Sequence, residues 1–272
     1  PKTAGSTLNA IIERQYSLKT ICSVYPGHAT VPGGVVLSAA DDLRELDKSR
    51  LAQIRVLRTH LSFGVHRLLP MPSAYFTVLR DPVGRVVSLY YFILSLPPSL
   101  RPDYFPAKNI SLAECLRESL TIDMDNAQTR MLAGDLHTVP FGQCTPSHLK
   151  EAKRNLRKRF VVVGLTERFD ETLLLLRKTL GWQNSIYYRR RNVTRNRPGV
   201  DDLHPETLQA VVRANRLDIA LYQYAEKMFD ETVRRQGRFF AVQLKAFQMC
   251  NRLQGQIGYP DNRGDSAKPI RS

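Results

Sequence analysis

Cysteine is scarce in this chain of 272 residues, and long apolar runs are missing altogether. The four cysteines stand far apart, which excludes both a dense disulfide framework and a paired-cysteine metal site. We therefore expect buried or incidental thiols at all four positions, Cys22, Cys115, Cys144 and Cys250. The longest apolar candidate, residues 86–96, falls well short of the roughly 20 residues that a membrane-spanning helix needs.

Acidic residues are also in short supply. The chain has 25 Asp and Glu against 40 Lys and Arg, for a formal net charge of +15. This excess favours polyanionic partners, but composition alone does not choose among nucleic acid, a phosphorylated cofactor, an acidic polysaccharide and a membrane surface.

A Walker phosphate loop, GxxxxGK[ST], does not occur in the order that nucleotide binding requires. The chain instead opens with Pro-Lys-Thr-Ala-Gly-Ser-Thr, in which Lys2 precedes Gly5, the only glycine of the segment. Leu8, Ile11 and Ile12 follow at helical spacing and predict a helix that begins at this turn. A helix N-terminus beside a lysine suits a phosphate, because N–H donors and positive charge coincide there. An ordinary helix cap is the alternative interpretation.

A second candidate for an anion site follows the β-prone run 75–79. Asp81 and Pro82 predict an N-cap and a first helical residue, and an apolar stripe continues along the helix. Arg80 at the strand end and Ser88 two turns into the helix can both approach an anion that lies across the helix start.

The rest of the chain alternates predicted strands and helices, which indicates an open, mainly parallel sheet with ligands at the carboxyl ends of its strands. We expect one domain over residues 1–254 and a flexible tail over 255–272. Because the opening loop should follow a strand, we also expect a strand upstream of residue 1. Two basic segments stand out, a helix over residues 147–159 and a loop over 189–197.

Together, residues 1–7 and 79–91 resemble the two phosphate-binding motifs of sulfotransferases that use 3′-phosphoadenosine 5′-phosphosulfate (PAPS). The segments 60–66, 126–132 and 164–169 are similar to further motifs of these enzymes. The carbohydrate enzymes related to heparan sulfate 2-O- and 6-O-sulfotransferases, with bacterial relatives, are the branch that the chain resembles. The resemblance implies a P-loop-kinase-like three-layer fold, with a central mainly parallel sheet flanked by helices. It also implies in-line transfer of the sulfuryl group of PAPS to a carbohydrate hydroxyl, with no metal required.

The resemblance further implies roles for single residues. Lys2 would contact the bridging oxygen of the donor, and Arg80 with Ser88 would bind its 3′-phosphate. His60 would act as the general base, and its ordinary pKa near neutrality fits that task. The 5′-phosphate would be held by the rest of the opening loop, which comprises Thr3, Ala4, Gly5, Ser6 and Thr7.

Several assignments keep an alternative. His66 is the rival base or a substrate contact. Asn126 and Arg130, four residues apart on one helix face, would contact cofactor or acceptor or simply brace the helix. Thr194 and Arg195 resemble a late segment that covers the cofactor, and a solvated loop is the alternative.

The expected partner is a carbohydrate acceptor, with an acidic polysaccharide among the candidates, and not a specific nucleic acid. The favoured location is the cytoplasm of a bacterium; a eukaryotic protein would be in the Golgi lumen with an anchor upstream. Two other functions are weighed: an ATP-dependent kinase, and a non-enzymatic protein that binds nucleic acid or heparin through its basic segments.

Overall fold

The computed structural model describes residues 2–24, 35–37, 41–102, 105, 110–189 and 199–257. Thr194 and Arg195, and most of the predicted tail, lie outside these residues. The strands are Ile21–Val24 (β1), Val35–Leu37 (β2), Val56–Thr59 (β3), Tyr75–Leu79 (β4) and Phe160–Leu165 (β5).

Helices alternate with these strands and dominate the second half of the chain. They are Gly5–Gln15 (α1), Asp42–Glu45 (α2), Lys48–Gln53 (α3), Pro82–Ser95 (α4), Leu112–Arg117 (α5), Ala127–Ala133 (α6), Pro146–Arg159 (α7), Phe169–Leu180 (α8), Pro205–Ala214 (α9), Arg216–Arg234 (α10) and Arg238–Ile257 (α11). None of the described helices combines the length and the apolar character that crossing a bilayer demands.

All strand pairs within the described residues are parallel, as predicted, but they form two sheets instead of one. The first sheet has the order β2-β1-β3, and the second consists of β4 and β5. In the second sheet Leu79 lies opposite Leu165. The N–H of Thr166 then donates to the carbonyl of Leu79 at 2.8 Å, one residue beyond the strands. Arg80 and Glu167 therefore leave their strands in neighbouring positions.

One apolar core joins the two sheets through α1. Ile11 and Ile12 of this helix pack in the same cluster as Ile21 of β1 and Val78 of β4. The far end of α1 is held as well, because the indole N–H of Trp182 donates to the hydroxyl of Tyr16 at 3.1 Å. The helix that follows the opening loop is thus fixed along its whole length.

Several element boundaries differ from the sequence predictions. Residues 41–51 form two short helices, since the side chain of Asp47 caps a new helix by accepting from the N–H of Arg50. The basic helix begins at Pro146 with Thr145 as its N-cap, and not at Ser147. Residues 186–188, which follow α8, have no regular structure. The last helix, α11, continues to Ile257, past the predicted start of the tail.

Candidate functional site

The opening loop has the backbone of a tight turn that leads into a helix. Lys2 and Ala4 adopt φ values of 67° and 59°, in the left-handed region that residues other than glycine rarely occupy. Ala4 is the N-cap of α1 and makes no side-chain cap hydrogen bond to the helix. A side chain built on Gly5 would meet nothing within 4 Å, so space is open at the helix start. Strained turns of this kind are retained where the surrounding structure holds them.

Arg80 is the residue that joins the two predicted phosphate motifs. Its guanidinium Nη1 donates to the backbone carbonyl of Lys2 at 3.0 Å. The helix behind it starts as predicted, because the carboxylate of Asp81 accepts from the N–H of Gly84 at 2.6 Å and Pro82 occupies the first turn. Two segments almost 80 residues apart in sequence therefore meet at one place.

One face of α4 lies along this meeting point. Gly84, Ser88 and Phe92 follow one another at four-residue spacing and share that face. The guanidinium of Arg80 lies over its first member, since Nε is 3.8 Å from the position of a Cβ on Gly84. The ammonium of Lys2 lies over its last member, 4.0 Å from the centre of the Phe92 ring. Ser88, which is buried, lies between Gly84 and Phe92 on the same face.

The side of α4 opposite its apolar stripe is also buried, which the sequence pattern did not predict. Every residue from Pro82 to Tyr90 is buried. Arg85 is 1% exposed, and its guanidinium donates to the carbonyl of Asp123 at 2.5 Å.

Two side chains that no sequence pattern indicated hold the backbone of the Arg80–Asp81 turn. The amide of Gln128 accepts from the N–H of Arg80 at 3.0 Å and donates to its carbonyl at 2.9 Å. The carboxylate of Glu167 accepts from the N–H of Asp81 at 3.2 Å and from the hydroxyl of Tyr222 at 2.7 Å. Both residues lie within motifs that carried the resemblance, but neither periodicity nor charge marks a side chain that binds backbone.

The N-termini of α6 and α10 cap each other. The carboxylate of Asp218 accepts from the N–H groups of Gln128 at 3.0 Å and Thr129 at 2.7 Å. In return, the side-chain oxygen of Asn126 accepts from the N–H groups of Leu217 at 2.8 Å and Asp218 at 3.1 Å. Burial raises the pKa of Asp218, while the Arg85 guanidinium and the hydrogen bonds from α6 oppose that rise.

Asn126 and Arg130 are therefore placed in the interior. Asn126 is 4% exposed, and Arg130 is 0% exposed. The Arg130 guanidinium pairs with Asp125 and donates to the backbone carbonyls of Val139 and Pro140. These contacts support the bracing role over a contact with the acceptor, because a substrate would have to displace buried charge-assisted bonds.

The two candidate bases lie in different surroundings. His60 directly follows β3 and is exposed at the surface. The protein around its ring displaces enough water to lower its pKa to about 4, and the Asp123 carboxylate opposes this shift. His66 instead bonds through Nδ1 to the hydroxyl of Tyr75 at 2.8 Å. Since Tyr75 begins β4 and Arg80 follows its end, the structure does not bring His66 to the Lys2–Arg80 site.

The cysteines behave as expected of unreactive thiols. Cys22, Cys115 and Cys144 are buried, and Cys250 is partly so; all four are free. Burial raises the pKa of each of the first three to about 11. Within the described residues, no three His, Cys, Asp or Glu side chains are grouped in a way that could hold a metal ion.

Parallel strands, a helix N-terminus and two converging cations define an α/β protein with a candidate anion-binding site. A model of the galactose-3-O-sulfotransferase family matches residues 1–253, and the chain belongs to this family. Galactose-3-O-sulfotransferase 3 of Bos taurus is 29% identical over 196 residues, which cover 67% of this chain and 44% of that protein.

Two human relatives match over more of the chain. Galactose-3-O-sulfotransferase 2 of Homo sapiens is 26% identical over 266 residues, 94% of this chain and 62% of that protein. Galactosylceramide sulfotransferase of Homo sapiens is 29% identical over 258 residues, 87% of this chain and 57% of that protein. The chain thus spans about half the length of the curated relatives it matches.

These comparisons confirm the resemblance to carbohydrate sulfotransferases and correct its detail. The matching family is that of the galactose-3-O-sulfotransferases, whereas the sequence motifs resemble those of the heparan sulfate branch. The relatives compared are mammalian, so the favoured bacterial cytoplasm has no support from them.

Proposed function

We propose that this protein transfers the sulfuryl group of PAPS to a hydroxyl of a galactose-containing carbohydrate. The observation that carries the proposal is the contact of Arg80 with the Lys2 backbone, which brings two candidate phosphate sites together. The choice of galactose as the acceptor follows the names of the relatives. Because one of them is a galactosylceramide sulfotransferase, a glycolipid acceptor is also worth testing. We extend the proposal to a P-loop-kinase-like fold and to the Golgi lumen, the setting considered above for a eukaryotic protein.

The residues at the site fit a donor that carries phosphates at both ends of its ribose. The start of α1 offers N–H groups and a partial positive charge to the 5′-phosphate, and Lys2 adds a full charge beside it. Arg80 suits the 3′-phosphate because a planar guanidinium can donate to two of its oxygens at once. Ser88 shares a helix face with Gly84, beside the Arg80 guanidinium, and would add a hydroxyl.

PAPS would supply the sulfuryl group and leave as the bisphosphate. The acceptor oxygen forms a bond to sulfur while the bond from sulfur to the bridging oxygen breaks. Lys2 offsets the negative charge that develops on that oxygen, a contribution of the oxyanion type. His60 accepts the proton of the hydroxyl at its neutral ring. Its lowered pKa keeps the ring neutral at pH 7 but makes it a weaker base than the ordinary imidazole expected from the sequence.

The test is turnover of PAPS with a galactose-terminated acceptor and with its glucose-terminated counterpart. Loss of the base should lower kcat by about 10²–10⁴-fold in His60→Ala, and loss of the lysine by about 10²–10³-fold in Lys2→Ala. The exposed residues Lys19 and His137 provide matched controls, Lys19→Ala and His137→Ala. Wild-type turnover in both Lys2→Ala and His60→Ala would refute the mechanism.

The melting temperature of the protein with different ligands distinguishes the rival functions. A donor site of this kind predicts stabilisation by adenosine 3′,5′-bisphosphate at concentrations where magnesium and ATP have little effect. The opposite order would favour a kinase. Stabilisation by heparin alone would favour a polyanion-binding protein.

A further inference from the structure

A single side chain forms hydrogen bonds with both backbone polar groups of Arg80. Gln128 binds both its N–H and its carbonyl, at 3.0 Å and 2.9 Å, as a neighbouring strand would. Gln128 is only 7% exposed, so water competes little for these two bonds. The position from which the guanidinium extends is therefore set by α6.

The next residue, Asp81, is held by a residue that follows the neighbouring strand, β5. Its N–H donates to Glu167, which follows β5 and accepts from the hydroxyl of Tyr222 through its other oxygen. A charged acceptor makes both of these bonds stronger than neutral ones. The turn that carries Arg80 is thus fixed at two consecutive residues by two separate side chains.

Both connections lead back to one helix. Asp218 accepts from the N–H of Gln128, and Tyr222 donates to Glu167. These two residues are four apart in α10 and therefore lie on one face of it, a single turn from each other. Asp218 is 0% exposed and Tyr222 is 8% exposed, so this face is packed against the interior.

From this arrangement we infer that Gln128 and Tyr222 are positioning residues for the sulfate donor: through them α10 holds the Arg80–Asp81 turn where the Arg80 guanidinium meets the 3′-phosphate. The inference rests on the proposed function, since it assigns the 3′-phosphate to Arg80. Neither residue needs to touch the donor. Their effect should be larger on the 3′-phosphate, which Arg80 would bind directly, than on the 5′-phosphate, because the opening loop that Arg80 contacts at Lys2 is also held by α1.

The test uses two ligands that differ in that one group, adenosine 3′,5′-bisphosphate and adenosine 5′-monophosphate. Gln128→Leu removes both bonds to Arg80 at similar volume. We expect it to raise the dissociation constant of the bisphosphate by about tenfold, which corresponds to about 1.4 kcal/mol of binding free energy. The dissociation constant of the monophosphate should change less than twofold. A merely structural role would weaken both ligands alike.

The matched control is Asn155→Leu. Asn155 is a buried amide, 5% exposed, that donates to the carbonyl of Leu132 at 2.9 Å and has no bond to the Arg80–Asp81 turn. It should lower stability as Gln128→Leu does and leave the ratio of the two dissociation constants unchanged. In an Arg80→Ala background, Gln128→Leu should no longer alter that ratio, because coupled residues are not additive.

Tyr222→Phe repeats the test through the second connection and keeps the ring in place, which covers the case in which Gln128→Leu does not fold. Here we expect a selective loss of about threefold for the bisphosphate. Unchanged selectivity in the folded variants, or equal loss for both ligands, would overturn the inference. If the wild-type protein itself does not prefer the bisphosphate, the proposed donor site fails instead, and the two failures are distinct.

Discussion

Protonation of one residue, His60, should govern the acid side of the pH dependence. Because the surrounding protein lowers its pKa to about 4, the ring is neutral from pH 7 down to about pH 5. A plot of kcat/KM against pH, which reports groups of the free enzyme, should therefore lose activity near pH 4 and not near the ordinary histidine value of about 6.5. If activity is instead lost near pH 6.5, and this loss disappears only in His60→Gln among the histidine variants, the pKa of His60 is not lowered and the prediction is wrong.

The lowered pKa of His60 also predicts how the stability of the protein changes with pH. The folded-state pKa of about 4 lies below the unfolded-state value of about 6.5, so the unfolded chain binds more protons between these two pH values. Stability contributed by neutral His60 is complete above pH 6.5 and is lost as the pH falls through that window. The melting temperature of the wild-type protein should therefore fall more steeply from pH 6.5 to 4.5 than that of His60→Gln.

Single residues were predictable where a local pattern defines them. Lys2 and Arg80 stand in short motifs with a glycine turn or a helix start beside them, and the structure brings the two together. Gln128 and Glu167 were not predictable in this way. Their partners are backbone groups of Arg80 and Asp81, and nothing in a sequence pattern tells which distant backbone an amide or carboxylate will meet.

Among the helices, the mutual capping of α6 and α10 should contribute more to the free energy of unfolding than an exposed cap does. Asn126→Ala removes the acceptor for two buried N–H groups and places alanine at a φ of 46°. We expect the free energy of unfolding to fall by about 2–4 kcal/mol, from the unsatisfied donors and the strained backbone together. Urea denaturation measures it.

Two further variants separate the causes of that loss. Asn126→Gly relieves the strain at positive φ and should recover part of the stability. Ser111→Ala removes the exposed capping box of α5 and should cost only about 1 kcal/mol. A loss in Asn126→Ala no larger than that of Ser111→Ala would show that the mutual caps contribute little.

The start of a helix could be predicted where residues next to it in sequence cap it, and not where distant residues do. The start of α4 was predicted correctly because Asp81 and Pro82 act on the next four residues of the same helix. The N-cap of the basic helix was predicted two residues late, at Ser147 instead of Thr145, since the capping box pairs Thr145 with His148 instead of the usual acidic residue or glutamine. The docking of α6 against α10 joins residues about 90 apart and leaves no local pattern.

For the whole molecule, the parallel arrangement of strands followed from their alternation with helices, but the number of sheets did not. The described strands form sheets of three and two members, each with its own order. Which strand pairs with which depends on contacts between distant segments, and the apolar runs of buried parallel strands look alike. The core that α1 shares with both sheets became visible only in the structure.

The excess of positive charge predicts a second, separable interaction. The exposed face of α7 includes Lys150, Arg157 and Lys158. Replacing all three by glutamate should lower the salt concentration that elutes the protein from heparin to about half, because fewer counterions are released. Stabilisation by adenosine 3′,5′-bisphosphate should not change. Both are measured on the same preparation.

A control for that variant makes the same change of charge elsewhere. Arg44, Lys48 and Arg55 are also exposed and lie around α2 and α3. If their replacement by glutamate lowers heparin retention equally, net charge alone explains the binding and α7 has no special part in it.

Trp182 gives the protein an internal optical probe. It is the only tryptophan of the chain, it is 4% exposed, and its indole N–H is bonded to Tyr16 at the end of α1. Since the opposite end of α1 carries the opening loop, the wavelength of the indole emission reports whether the helix that supports this loop is in place. Release of the helix would expose the ring to water and shift its fluorescence to the red, without any added label.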